Sequence, residues 1–218
     1  EYERLGGEGG AQAFLDAVEN IDRSQFEFLA DLAPGQSLEG FLFPDTYRFD
    51  GSDPTLNVAT MLTNFGNKYT PEMRQRTGEM GLSIYDVLKL ASLVEREAQI
   101  PEERPTIADV YLSRLEQGWE LEADPTVQYV IGTPQEWWPK VSGTDLETTD
   151  SPYNTYLNAG LPPGPIANPG FASIQAVLFP NDTPYMFFVA KCDTGEHEFA
   201  VTPDEQAANV DLFQNNCP

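Results

Sequence analysis

The stretch from Ser83 to Ala98 constrains this chain more than any other. Ser83 precedes an apolar-periodic run and Asp86 follows three residues later, the spacing of a capping box with Asp in place of Glu. Pro101 closes the run, because it has no N–H to continue a helix and biases Ile100 away from helical backbone. Between these limits the spacing predicts a helix of about four turns. At about 100° per residue, Ile84, Val87, Leu88, Leu90, Ala91, Val94 and Ala98 fall on one broad apolar arc. Tyr85, Lys89, Ser92 and Arg96 take the opposite side. Glu95 falls near the middle of the arc and Glu97 at its edge. A carboxylate on a buried face is costly unless it is paired or protonated. For a single helical Glu a solvated or ion-paired structural role is the ordinary one. Two of them, one mid-face and one where a core meets a cleft, also suit acid–base chemistry.

A chain of 218 residues can form one sizeable domain, or two small ones, with a real core. Its 12 Lys and Arg against 35 Asp and Glu give a net charge of −23. That argues against nucleic acid and against an anionic membrane surface, both of which need basic patches. No apolar run reaches the roughly 18 residues that a membrane span requires, and no signal peptide is present. Contact with a membrane is therefore expected only through an anchor outside this chain, upstream of the abrupt start at Glu1. Two cysteines (Cys192 and Cys217) and one histidine (His197) are too few for a disulfide scaffold or a Cys/His zinc site. No metal and no cofactor is expected. One disulfide holding the tail and two free thiols are equally compatible with the sequence.

Residues 1–33 read as helical and acidic, interrupted by Gly6-Gly7 and Gly9-Gly10. The aromatic-rich Leu38–Phe49 reads as extended chain with a turn at Pro44-Asp45. It suits either core packing or the aromatic wall of a groove, with Glu39, Asp45 and Thr46 as polar contacts. Helices are predicted from Asp53 to about Lys68, briefly after Pro71, and from Pro105 to Gln117 with Gly118 as the stop. Arg104 and Arg114 lie on or beside the last of these. Either is a partner for Glu95 if the two helices form a hairpin. Further on come a short helix after Asp124, then Trp137-Trp138. The Gly/Pro-rich run Gly160–Gly170 can be ordered only by tertiary contacts. A helix over Phe171–Phe179 precedes a hairpin, Tyr185–Ala190 and His197–Val201 around Asp193-Thr194-Gly195, and a closing helix capped at Thr202 runs to about Phe213. The expected fold is α+β: a helical hairpin packed with a small antiparallel sheet and a Gly/Pro-rich loop around a cleft.

Several chemistries are absent: no Walker loop, no dinucleotide-binding glycine motif, no nucleophile elbow, no calcium loop. A Ser/His or Cys/His mechanism would rest wholly on His197, whose hairpin position suits a structural hydrogen bond. What remains is carboxylate chemistry beside aromatic rings, Asn and Thr, the equipment of a carbohydrate-cleaving site. A carboxyl flanked by Leu90, Leu93 and Val94 is placed to have its pKa raised, as a general acid requires. Ordinary glycoside hydrolysis needs a second carboxylate, for which Asp45, Glu39 and Asp124 are candidates.

The blocks Leu38–Tyr47, Ala91–Glu97, Ala123–Tyr129, Tyr153–Tyr156, Gly160–Gly170 and the strand pair ending in His197-Glu198-Phe199 resemble the MltG/YceG-like family of endolytic murein transglycosylases, in the family's order. The resemblance implies a bacterial enzyme at the outer face of the cytoplasmic membrane, acting on peptidoglycan glycan strands and associated with cell-wall synthases. It implies cleavage of the MurNAc–GlcNAc bond within a strand, without water, to leave a 1,6-anhydro-MurNAc end. The family's catalytic Glu, second in its Glu-(Lys/Arg)-Glu motif, falls on Glu97. Asp45, Thr46, Asp124, Thr126, Tyr153, Asn154, Tyr156 and Asn168 are then the expected substrate contacts, and Glu95 is assigned to structure with Arg104 or Arg114. The family's transmembrane helix and LysM-like subdomain have no counterpart here. Residues 1–37 are expected to continue from an upstream region and residues 38–218 to form the catalytic domain. The rival readings are a two-carboxylate glycoside hydrolase and a non-catalytic glycan-binding or scaffold module.

Overall fold

The structure is a computed structural model describing residues 9–215 apart from positions 31, 50 and 193. The readings placed on Glu1, Gly6-Gly7, Asp193 and Cys217 lie outside those residues.

Helix α1 (Gly10–Asn20) is shorter than the helical run expected over residues 1–33. Asp22 turns its carboxylate onto the Ser24 N–H, and the chain continues as two 3₁₀ turns, Arg23–Gln25 and Glu27–Leu29. Asp53 and Thr70 then cap α2 (Pro54–Lys68) and α3 (Pro71–Glu79), each with proline in the first turn. Ser83 and Asp86 complete the predicted capping box of α4 (Ile84–Glu97). Each of the two side chains accepts the other residue's backbone N–H. After a 3₁₀ turn at Pro101–Glu103, α5 (Arg104–Gln117) ends at Gly118, whose φ of 70° is the left-handed cap conformation. The shorter α6 (Asp124–Ile131), α7 (Gly143–Thr148) and α8 (Phe171–Leu178) follow. Strands β1 (Phe187–Ala190) and β2 (His197–Ala200) pair antiparallel, Phe187 opposite Ala200 and Ala190 opposite His197. The closing helix α9 (Pro203–Val210) carries the expected Thr202 cap. It gives way to a wider π turn over Asp211–Asn215 rather than continuing to Phe213.

Helix α4 is the centre of this arrangement, packing against α3, α5, α6 and α8. Val87, Leu88 and the whole run from Leu90 to Val94 are buried, so α4 is enclosed on nearly every side over its middle turns. That corrects one expectation. Ser92, placed on the side opposite the apolar arc, is fully buried, and its Oγ accepts the Ile166 N–H at 3.0 Å. The reason is the Gly/Pro-rich loop, which lies across that side of α4. Asn168 fastens the same loop to the aromatic segment, its Oδ1 accepting the N–H groups of Gly40 (2.8 Å) and Leu42 (3.1 Å). Gly40 needs to be glycine, because its φ is +92° and a Cβ there would stand 2.7 Å from the Pro165 ring. Phe41, Phe65 and Phe28 complete the core beneath, with ring centroids 4.9–5.9 Å apart.

Candidate active site

Glu97 is the last residue of α4, where that helix's unpaired carbonyls make its end electronegative. Tyr111, from the facing side of α5, donates its hydroxyl to Glu97 Oε1 at 2.9 Å. Loss of hydration on burial is the largest influence on the Glu97 carboxyl and raises its pKa. The Asp124 charge raises it further, while Tyr111 and Arg96 pull the other way, and the result lies at about 7. Glu97 therefore exchanges its proton near neutral pH, at a place that is not sealed from solvent. It lines a cleft of about 510 Å³ together with Asp124, Tyr156, Arg114, Phe188 and His197.

The walls of this cleft come from parts of the chain far apart in sequence, from the end of α4 to α9. Asp124 opens α6 and accepts the Tyr156 hydroxyl at 2.6 Å. Burial and the Asp124 charge push the Tyr156 pKa far above its ordinary value, and burial and Glu97 do the same for Tyr111. Both tyrosines thus remain protonated donors. Arg114 is a buried clamp. Its Nε donates to Met186 O (2.8 Å), and its Nη1 to Leu121 O (3.0 Å) and to the Glu122 carboxylate (2.9 Å). The β1–β2 hairpin is tied to the 3₁₀ turn before α5 by Glu103, which accepts from the His197 backbone N–H (3.0 Å) and pairs with its Nδ1 (2.8 Å). The imidazole stands edge-on to Phe188, with centroids 5.3 Å apart. His197 is thus hydrogen-bonded into the structure, as its hairpin position suggested, but it also lines the cleft.

The residues named from the sequence divide sharply. Glu97, Asp124 and Tyr156 come together in the cleft. Thr126 and Asn154 do not reach it, because both are fully buried. Thr126 donates to Ala123 O, and Asn154 spends its amide on Leu146 O, Thr149 O and the Tyr156 N–H. They shape the turns that carry Asp124 and Tyr156. Asp45 and Thr46 line a different, open depression beside α2, where Asp45 accepts from Asn64 and the Thr46 N–H. Tyr153 packs on Tyr129 (centroids 5.1 Å), and Tyr129 and Asn168 line another cavity.

The ion pair expected for Glu95 is replaced by another arrangement. Glu95 Oε2 accepts the Gly170 N–H (3.2 Å) and the Ser173 hydroxyl (2.5 Å) at the start of α8. Gly170 has no side chain to cap α8, so a carboxylate from α4 supplies the acceptor that the helix end needs. Among the described residues neither arginine pairs with it. Arg114 belongs to Glu122, and the Nε of Arg104 is buried without a hydrogen-bond partner. Sequence reasoning missed Tyr111, which its periodicity files with the apolar face of α5. A hydroxyl on an otherwise apolar stripe was the available signal.

Fold and site together define an α+β domain built around one carboxyl of raised pKa in a cleft beside tyrosines and acidic groups. The chain belongs to the YceG-like family, whose model matches residues 8–212. It is 41% identical over 169 residues to the endolytic murein transglycosylase of Bacillus subtilis, a match covering 77% of this chain and 46% of that protein. It is 29% identical over 174 residues to the endolytic murein transglycosylase of Streptococcus pneumoniae D39, covering 79% of this chain and 32% of that protein. The chain thus spans less than half the length of these curated relatives. A YceG-like protein of Listeria monocytogenes, solved by crystallography, superposes with a TM-score of 0.79 at 30% identity, over 90% of this chain and 66% of that one.

Proposed function

We propose that this chain is the catalytic part of an endolytic murein transglycosylase and that Glu97 is its general acid and then its general base. The observation that carries the reading is the Glu97 carboxyl, raised to about 7 and held by Tyr111 at the wall of an open cleft. Protonated Glu97 donates to the glycosidic oxygen as the MurNAc C1–O bond breaks, leaving an oxocarbenium-like sugar. The resulting carboxylate, steadied by the Tyr111 hydroxyl, takes the proton from the sugar's own C6 hydroxyl. That oxygen closes onto C1, giving a 1,6-anhydro end, and Glu97 is protonated again. No water enters the balance and no second carboxylate is required. Asp124 keeps the Glu97 proton in place electrostatically, and Tyr156 fixes the orientation of Asp124.

The family resemblance supports a setting for this reading, which is part of the proposal. The enzyme works on glycan strands at the outer face of the cytoplasmic membrane, beside cell-wall synthases, through an anchor outside this chain. Among the described residues no helix is long and apolar enough to cross a membrane. The presence of Asp124 in the same cleft favours one second reading, a two-carboxylate hydrolase. Mass spectrometry of murein digested by the parent and by a Glu97→Gln variant separates the two. Anhydro ends that vanish with the variant support the proposal, whereas reducing ends, heavier by one water, would replace it with hydrolysis. Undiminished digestion by a folded Glu97→Gln protein would remove Glu97 from the chemistry.

A further inference from the structure

Beyond the far end of α6 from Asp124 lies a second cavity of about 590 Å³, lined by Glu39, Tyr129, Val130, Trp137, Trp138 and Asn168 among others. It is separate from the Glu97 cleft but connected to it by three parts of the chain. Helix α6 carries Asp124 at its first residue and Tyr129 and Val130 near its last. The 151–156 segment places Tyr156 in the cleft and Tyr153 against Tyr129. Arg96, next to Glu97, lays its guanidinium over the Trp138 ring, 3.8 Å from the centroid.

The contents of this cavity are unusual for a surface that only packs against water. Trp137 is 68% exposed, the most exposed of the large hydrophobic side chains among the described residues, and Val130 beside it is 36% exposed. Glu39 is partly buried and has no cation paired with it among the described residues. Its one hydrogen-bond donor is the Tyr129 hydroxyl, at a long 3.5 Å. Burial holds the Glu39 pKa above the ordinary carboxylate value. Asn168 has committed its Oδ1 to two backbone N–H groups, which leaves its amide nitrogen as a donor with no protein acceptor among the described residues. Aromatic faces, one free acceptor and one free donor therefore converge on one concavity.

We propose that this cavity is a distal subsite that seats one sugar ring of the glycan strand being cut at Glu97, an inference that rests on the function proposed above. The apolar face of a pyranose lies on Trp137, while a hydroxyl donates to Glu39 and an acetamido or hydroxyl oxygen accepts from Asn168. An ammonium group is the alternative that an aromatic and acidic cavity suggests. It fits less well here, because Arg96 already occupies the Trp138 face and the Asn168 donor would point positive hydrogens at a cation. A subsite away from the scissile bond also suits cleavage within a strand, since it requires the strand to continue past the cut.

The test uses the 218-residue protein carrying Glu97→Gln, so that binding is read without turnover. Peptide-free glycan strands are titrated while tryptophan fluorescence and affinity are followed. Trp137→Ala, at an exposed position, is expected to weaken binding roughly tenfold, about 1.4 kcal/mol. Asn168→Asp keeps the acceptor that holds Gly40 and Leu42 but replaces the donor with an anion, and is expected to weaken strand binding several-fold. Unchanged affinity in both variants, or no strand binding at all, overturns the subsite. So does tighter binding of a lysine-bearing stem peptide by Asn168→Asp, which would make the cavity a cation site. Reducing ends in the digests described above would overturn the transglycosylase reading and leave the subsite standing.

Discussion

Replacing Glu97 with Gln is expected to remove turnover while making the protein more stable above neutral pH. In the unfolded chain this carboxyl titrates near 4.5, and in the fold it is raised to about 7. The folded state therefore binds the proton more tightly than the unfolded one. Below about pH 4.5 both states are protonated and the site carries no penalty. Between 4.5 and 7 the unfolded chain has released a proton that the fold retains, so stability falls as pH rises. Above about 7 both states are ionised and the penalty is constant. The interval from 4.5 to about 7, at roughly 1.4 kcal/mol per pH unit, gives about 3.5 kcal/mol as an upper figure. Solvent at the cleft mouth trims it toward about 2 kcal/mol. Gln has nearly the same shape, can accept from Tyr111 through its amide oxygen, and cannot ionise. Urea unfolding of parent and variant at pH 4.5 and pH 8 measures the effect. The variant should gain about 2–3 kcal/mol at pH 8 and nearly nothing at pH 4.5. A variant no more stable than the parent at pH 8, or a gain independent of pH, would refute the assignment of a buried, proton-retaining Glu97.

Two neighbours of Glu97 should move the pH profile in opposite directions. Tyr111→Phe removes a donor that favours the carboxylate, so the alkaline fall in activity should shift to higher pH while kcat drops roughly 10- to 100-fold. Asp124→Asn removes a charge that favours the proton, so the same fall should shift to lower pH; profiles that both move one way contradict the electrostatics described here. Glu95→Ala leaves the Gly170 N–H and the Ser173 hydroxyl without their acceptor and should cost about 2–3 kcal/mol, read as a lower melting temperature; an unchanged melt would show that α8 does not depend on it. Gly40→Ala combines a positive φ with a 2.7 Å approach to Pro165 and should cost about 1–3 kcal/mol, measurable by the same melt, with no loss if the Gly/Pro-rich loop moves away freely.

Most of the helices were legible because their signals are local. The capping box at Ser83, the Asp53 and Thr202 caps and the Gly118 stop each act within one turn, so neighbouring residues suffice to locate them. The site was legible only in part, because its contacts join residues distant in sequence. Asn154 and Thr126 carry polar groups of the kind a sugar would need, yet both are consumed by backbone within the turns they build. Nothing in a linear pattern distinguishes a polar group spent on the fold from one left for a ligand. Ser92 illustrates the same limit, since an arc drawn around a single helix assumes one buried side, and α4 has a loop lying over the other.

Glu95 and Glu97 stand two residues apart, about 200° around the helix, so the same short motif faces two different environments. Glu95 meets the N-terminal end of α8, where an N–H and a hydroxyl converge on one of its oxygens. Glu97 meets the electronegative end of its own helix, an acidic neighbour and a single tyrosine donor. Helix ends of opposite polarity thus sort the two carboxyls into a helix anchor and the acid proposed for the site. The sorting also links the anchor to the proposed chemistry. Glu95 holds the start of α8 and, through Gly170, the end of the loop on which Ser92 and Asn168 also pull. That loop covers one side of the helix that presents Glu97. A defect at Glu95 should therefore loosen the scaffold around the acid without changing the acid's own contacts, lowering stability and activity together while the pH at which activity falls stays where Glu97 sets it.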